Sequence, residues 1–174
     1  MLGESVIVTV AGLDIGGSVG AAFLALLGFV IAGTIWWVYF GRYRSLPGVG
    51  ALARFVWAQI HLLIFIGVTA AAVGVAFAVE AAAGDHALTL ADRLPLGAGL
   101  AGNLIAMGTI RAVTRRLDWV AIMRVAVAGA ILAVALTGLD LGPLPFVVVV
   151  ALLIVAEAAT EMTRAVPAQE QDGA

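Results

Sequence analysis

Apolar residues run on every helical face for some twenty positions at a time, and they do so five times: over residues 19–40, 55–82, 95–112, 119–138 and 144–163. About 20 such residues in a helix cross the hydrocarbon core of a bilayer. The breaks between the runs carry turn chemistry: Asp14-Ile15-Gly16-Gly17-Ser18, Pro47-Gly48-Val49-Gly50, Gly84-Asp85 and Gly142-Pro143. Asp118 stands where an N-cap would open the run that begins at Trp119. Strands are the competing reading, because Val147 to Val150 is β-branched throughout. A barrel strand facing lipid would alternate apolar with polar at every second residue, and these runs do not. The pattern therefore predicts an all-α, polytopic transmembrane helix bundle with five full spans.

A sixth segment, residues 1–13, is apolar but short. At 1.5 Å per residue it reaches about 20 Å, against a core of ~30 Å. Glu4 would then lie inside the hydrocarbon, and the opening lacks the basic region of a signal peptide. The expectation is a chain that begins within a helix, with further sequence upstream in its native form. Residues 1–164 would form one transmembrane domain and 165–174 a disordered polar tail.

Composition sharpens this reading by exclusion. The 174 residues are 63% apolar and 11% charged, with a mean hydropathy of +1.14. A water-soluble domain of this size could not coat its surface with so few polar side chains. A net charge of −2 and the lack of a basic face exclude a nucleic-acid partner. There is no cysteine, which removes disulfides, thiolate catalysis, iron–sulfur clusters and cysteine zinc sites. All nine basic residues are arginine, so no lysine can form a Schiff base or serve a P-loop. No cofactor and no bound metal are expected, and the partners are the bilayer and other membrane helices, including copies of the same chain.

The arginines set an orientation. Arg42, Arg44 and Arg54 flank one loop, Arg111, Arg115, Arg116 and Arg124 flank the loop two spans later, and Arg164 follows the last span. The alternate loops carry Arg93 alone among Asp14, Asp85, Asp92 and Asp140. By the positive-inside rule the arginine-rich side is cytoplasmic, giving a multi-pass inner-membrane protein with its C-terminus inside. Trp36, Trp37, Tyr39, Trp57 and Trp119 all fall at that side, as an interfacial aromatic belt would.

Several motifs have a plainer reading than the one they spell. Gly97-Ala98-Gly99-Leu100-Ala101-Gly102 matches a dinucleotide loop, yet it sits inside a span with no strand before it. Close helix packing accounts for it, as it does for Gly67, Ala71 and Gly74, and for Gly129 with Ala133. Gly3-Glu4-Ser5-Val6-Ile7 lacks the final glycine of a nucleophile elbow, and His61 has no second histidine four residues on. An enzyme is not expected.

Polar groups at membrane depth are the informative residues. His61 lies about 10 Å inside the cytoplasmic boundary, and Glu4 about 15 Å from the outer one, so their depths differ by only about 5 Å. On neighbouring helices the two could pair or share a proton. Gln59, Asn103, Thr34 and Thr69 could extend the network or serve as interhelical glue. Glu80, about 28 Å from His61 along its helix, reaches interfacial water instead. Glu157 and Glu161 share a face near the end of the last span, Glu161 in solvent and Glu157 deeper.

Leu2-Gly3-Glu4-Ser5, Trp36-Trp37-Val38-Tyr39-Phe40, and Ile60-His61-Leu62 followed nineteen residues on by Glu80 resemble the bacterial low-temperature-requirement protein A family. The resemblance covers residues 2–163 and is to the C-terminal half of a longer member. The chain departs from the family pattern in lacking a proline after His61-Leu62 and a histidine after Glu80. The resemblance implies a membrane protein connected with growth in the cold, and lends no settled biochemical activity. The expected function is movement of a proton, ion or small solute through Glu4, His61, Gln59 and Asn103. The alternative is a non-catalytic membrane component for cold or envelope stress that works by helix packing.

Overall fold

The structure, a computed structural model, describes residues 19–42, 50–114 and 118–163. Glu4, the segment 1–13 and the tail 165–174 lie outside the described residues. Among the described residues there are five helices and no strand: α1 (Val19–Arg42), α2 (Ala51–Ala83), α3 (Leu90–Thr114), α4 (Trp119–Thr137) and α5 (Pro143–Thr163). Each is long and apolar enough to cross a membrane. Consecutive helices pack against one another, and α5 returns against α1 and α2 to close the bundle. The polytopic all-α fold expected from the sequence is the fold observed.

The most buried helix is α3: 61% of its span is buried, against 22% for α1. Its outward stripe is narrow, with Ala98 and Ile105 exposed while Leu96, Leu100, Asn103, Leu104, Met107 and Ile110 are all covered. Glycines let α2 come that close. A Cβ on Gly67 would stand 2.6 Å from the Gly99 carbonyl oxygen, and one on Gly99 would stand 2.5 Å from the Gly67 carbonyl oxygen. A Cβ on Gly74 would collide with the backbone nitrogen of Leu96. Such close approach is how helices gain dispersion energy in a solvent as apolar as themselves. The packing reading of Gly67, Ala71, Gly74, Gly97 and Gly99 holds, while a Cβ on Gly102 would meet only Leu63, at 4.0 Å.

The pair Gly129 and Ala133 does not pack inward. Both are exposed, and nothing lies within 4 Å of a Cβ built on Gly129. Instead α4 turns Ala121, Arg124, Ala128, Ile131 and Ala135 inward. Gly129 is a quarter-turn or more off that stripe, a distinction that glycine content alone does not carry.

Helix ends differ from the hydropathy boundaries in one informative place. The apolar run opens at Pro95, but α3 begins five residues earlier, at Leu90. Thr89 and Asp92 form a reciprocal cap: Asp92 Oδ2 accepts from the Thr89 backbone N–H at 2.8 Å and from its hydroxyl at 2.7 Å, while the Asp92 N–H donates to Thr89 Oγ1 at 3.3 Å. The cap nucleates a turn of polar helix that hydropathy does not see. At the other end of the neighbouring helix, Gly138 closes α4 with φ +69°. That left-handed backbone is what favours glycine there, and the Arg93 guanidinium lies against the same residue.

Two apolar clusters fill the interior. The larger joins Leu24, Val79, Leu96, Leu100, Ile131, Phe146 and Val150. The smaller, toward the arginine-rich end, joins Val38, Ile64, Met107, Ile110 and Ala158. The polar groups described next lie around that smaller plug.

Candidate functional site

Charge is concentrated where α3, α4 and α5 meet at the arginine-rich end. Asp118 is the N-cap of α4, accepting from the Ala121 N–H at 3.1 Å. The same carboxylate takes a forked interaction from Arg111 at the end of α3, with Nε at 2.8–2.9 Å and the Nη2 contact at 2.7 Å. Hydrogen bonding to Arg111 holds the Asp118 carboxyl below its ordinary value, against the opposing effect of partial burial. Arg111 also reaches Glu161 Oε1 on α5 at 3.2 Å.

Arg124 lies deeper, on the second turn of α4, and its side chain is wholly buried. Its Nε donates to Glu157 Oε1 at 2.9 Å, and its Nη2 donates to Glu161 Oε2 at 2.5 Å. Both glutamates are buried too, at 3% and 4% exposure. Two expectations are corrected here. Glu161 is not in solvent but enclosed between two guanidinium groups, and Arg124 is not a loop-flanking interfacial charge but the centre of a buried ion cluster. A guanidinium needs two acceptors to fill its fork, and the i, i+4 glutamates of α5 present them one helical turn apart.

Sequence reasoning passed over Arg124, although a signal existed. Arg124 lies five residues into α4, while Glu157 and Glu161 lie six and two residues before the end of α5. At 1.5 Å per residue on antiparallel neighbours, those are matching depths of about 3–9 Å. Opposite charges at equal depth within spans point to a pair.

The second polar cluster fastens α1 to α2. His61 Nδ1 lies 2.5 Å from the Trp57 carbonyl oxygen, and its Nε2 meets the Tyr39 hydroxyl. A carbonyl only accepts, so Nδ1 carries the hydrogen, and in the neutral ring Nε2 accepts from Tyr39. The Trp57 ring packs on the imidazole with centroids 4.0 Å apart, and its indole Nε1 is buried with no partner among the described residues. Trp57 and Tyr39 thus both contact His61 and are half-buried. Trp36, Trp37 and Trp119 keep the outward exposure that a belt needs.

The remaining expected site residues are not gathered with His61. Gln59 is exposed on α2. Thr34 donates back to the Val30 carbonyl at 2.8 Å, within its own helix, and Thr69 is exposed. Asn103 is buried on α3 beside Gly67, with neither amide oxygen nor nitrogen partnered among the described residues. An orphaned amide in an apolar interior costs about 1–3 kcal/mol. Among the described residues, no group of three His, Cys, Asp or Glu side chains is placed to hold a metal.

One groove adjoins the buried charges. It measures about 230 Å³ and lies between the ends of α1 and α5, lined by Trp37, Val38, Gly41, Ala158, Glu161 and Met162. Glu161 is its single charged lining residue.

Neither the curated proteins nor the solved structures compared with the chain gave a match. The model of the bacterial low temperature requirement A protein family matches residues 1–156, from Met1 into α5. Five membrane-spanning helices and a match over that length make this multi-pass membrane protein a member of the LtrA family.

Proposed function

We propose that this LtrA chain moves a proton, a small ion or a small solute through a polar site in the bundle, without covalent catalysis. The carrying observation is Arg124, fully buried at membrane depth and held between Glu157 and Glu161. Ionisable groups within spans are expensive, and they concentrate along ion and substrate pathways. His61 with Tyr39, and the unpartnered Asn103 further in, supply polar stations beyond that end. Glu4 is a further candidate by depth. The placement of seven of the nine arginines, with the buried Arg124 set aside, supports a plasma (inner) membrane location with the arginine-rich end and the C-terminus in the cytoplasm.

The test is flux in proteoliposomes carrying the whole chain, with a pH-sensitive dye and a panel of small cations and solutes. Arg124→Met, His61→Ala and Glu4→Gln should each lower the flux at least tenfold. Flux unchanged in all three would defeat the reading.

A second reading is favoured by the outward Gly129 and Ala133, which present a small-residue face to lipid or to another helix. On this reading the chain is a non-catalytic membrane component of cold or envelope-stress adaptation, working by packing with partner helices. Gly129→Leu would then abolish co-purification of the partner and leave flux untouched.

A further inference from the structure

At the arginine-poor end, Arg93 is the one charged side chain among the described residues that carries a buried polar atom without a partner. It belongs to none of the ion pairs, and its guanidinium makes no hydrogen bond among the described residues. Nε is sealed in without an acceptor, whereas Nη1 and Nη2 are not sealed. The group lies against Gly138, the residue that ends α4. A helix C-terminus draws a cation electrostatically, yet here it leaves the five N–H donors of a guanidinium without acceptors. Asp92 supplies none either. Side chains at i and i+1 do not face each other on a helix, and Asp92 Oδ2 is taken up by Thr89.

Depth identifies what surrounds this fork. Arg93 and Arg111 lie on the same helix, eighteen residues and about 27 Å apart along its axis. That is close to the ~30 Å of a hydrocarbon core. With the Arg111 cluster near one boundary, Arg93 stands at the other, where phospholipid phosphates lie. Its neighbours in the chain and across the contact are apolar and outward-facing: Leu90, three residues before it, and Leu136 and Leu139 beside Gly138 are all exposed. The other charged side chains at this end are the acids Glu80, Asp85, Asp92 and Asp140. That excess repels a free anion arriving through water. A phosphate carried by a lipid is instead brought to Arg93 by its acyl chains, which the leucines can meet. The same acids suit an ammonium group placed two carbons beyond the phosphate.

We propose that Arg93 and the α4–α5 turn hold the headgroup of an aminophospholipid, of the phosphatidylethanolamine class, in the leaflet at the arginine-poor end. The guanidinium donates to two phosphate oxygens, in the forked geometry that suits it. The lipid ammonium donates to the carboxylates of Asp92 and Asp140, the acids nearest in the chain to Arg93 and Gly138. The acyl chains run along Leu90 and Leu139. The bound lipid thereby ties the start of α3 to the α4–α5 turn. This site lies at the opposite end of α3 from the charged junction and depends on no flux.

Native mass spectrometry of the whole chain, in detergent with added dioleoyl phosphatidylethanolamine, counts the lipids retained. The parent should retain this lipid, and Arg93→Gln should lower the retained fraction at least fivefold. Arg93→Lys, which keeps the charge but not the fork, should fall between the two. Asp92→Asn with Asp140→Asn should weaken phosphatidylethanolamine at least threefold and leave dioleoyl phosphatidylglycerol, which has no ammonium, undiminished. Millimolar inorganic phosphate should displace neither lipid. If Arg93→Gln yields no folded protein, Arg93→Lys and the acid pair carry the same contrasts. Equal retention by the parent and the Arg93 variants overturns the proposal. So does displacement by inorganic phosphate, which would make this a site for a free anion. Loss of a dimer rather than of lipid in Arg93→Gln also overturns it, since the acceptor would then be a carboxylate of a second copy.

Discussion

Two junctions in this bundle are fastened by opposite means. Along the α2–α3 seam the contact is backbone against backbone, with Gly67, Gly74 and Gly99 removing the side chains that would stand between. Where α3, α4 and α5 converge, long charged side chains fill the space and hold the helices by ion pairs. Lipid offers helices no hydrophobic reward for meeting. The seam gains its stability from many small dispersion contacts, which tolerate no added volume. The charged junction tolerates no loss of charge balance, since a stranded ion in this medium is costly. The first fastening depends on shape; the second depends on charge.

The largest effect should come at the seam. Gly74→Leu places its side chain against the Leu96 backbone, which has no rotamer by which to yield. Folded, monodisperse protein in detergent should fall to background. Gly129→Leu, with open space around it, should leave yield and melting behaviour unchanged. If the two variants behave alike, backbone proximity is not what holds α2 to α3.

Next comes the charged junction. Arg124→Met strands Glu157 and takes a guanidinium from Glu161, which keeps Arg111; it should cost about 3–5 kcal/mol, read as a lowered unfolding midpoint in denaturant titration. Adding Glu157→Gln and Glu161→Gln to it should restore most of that loss. Failure of the triple variant to recover would mean that the arginine acts by packing rather than by charge.

A smaller effect of opposite sign is expected at Asn103. Its amide is buried without a described partner, so Asn103→Leu should stabilise the chain by about 1 kcal/mol and lower any flux. A loss of stability would show that the amide has a partner after all.

The smallest concerns Asp118, whose carboxyl is partly exposed and held below its ordinary value of 3.8 by Arg111. A depressed acid contributes stability above its unfolded pKa, and that contribution disappears as the pH falls through the folded value. The parent should therefore lose stability in a step beginning near pH 3.8. Asp118→Asn, which still caps α4, should lack that step and cost no more than about 1 kcal/mol at neutral pH. An identical acid profile in the two would remove Asp118 from the network.

What the sequence made legible was whatever depends on runs of one kind of residue. Five spans, their alternation, the Asp118 cap and the glycine seam all follow from local composition and helical geometry. The start of α3 escaped because Thr89 and Asp92 cap a polar turn, which an apolar window discards. Arg124 escaped for a related reason: a lone charge near a span end looks interfacial until its depth is set against Glu157 and Glu161 on another helix. Which face of a span looks inward is likewise a tertiary fact. It separates Gly74 from Gly129, Asn103 from Gln59, and Trp57 from Trp37, although each pair looks alike in the sequence.

The hydrogen on His61 offers a last consequence. The Trp57 carbonyl belongs to α2, the same helix as the imidazole, whereas the Tyr39 hydroxyl belongs to α1. The intrahelical bond fixes the tautomer, and Nε2 is left to sense whether α1 is present. Nitrogen chemical shifts of this one ring would therefore report docking of the least buried helix in isolation, with Nδ1 as an internal reference. An imidazole in the membrane thereby becomes a gauge of assembly that needs no attached probe.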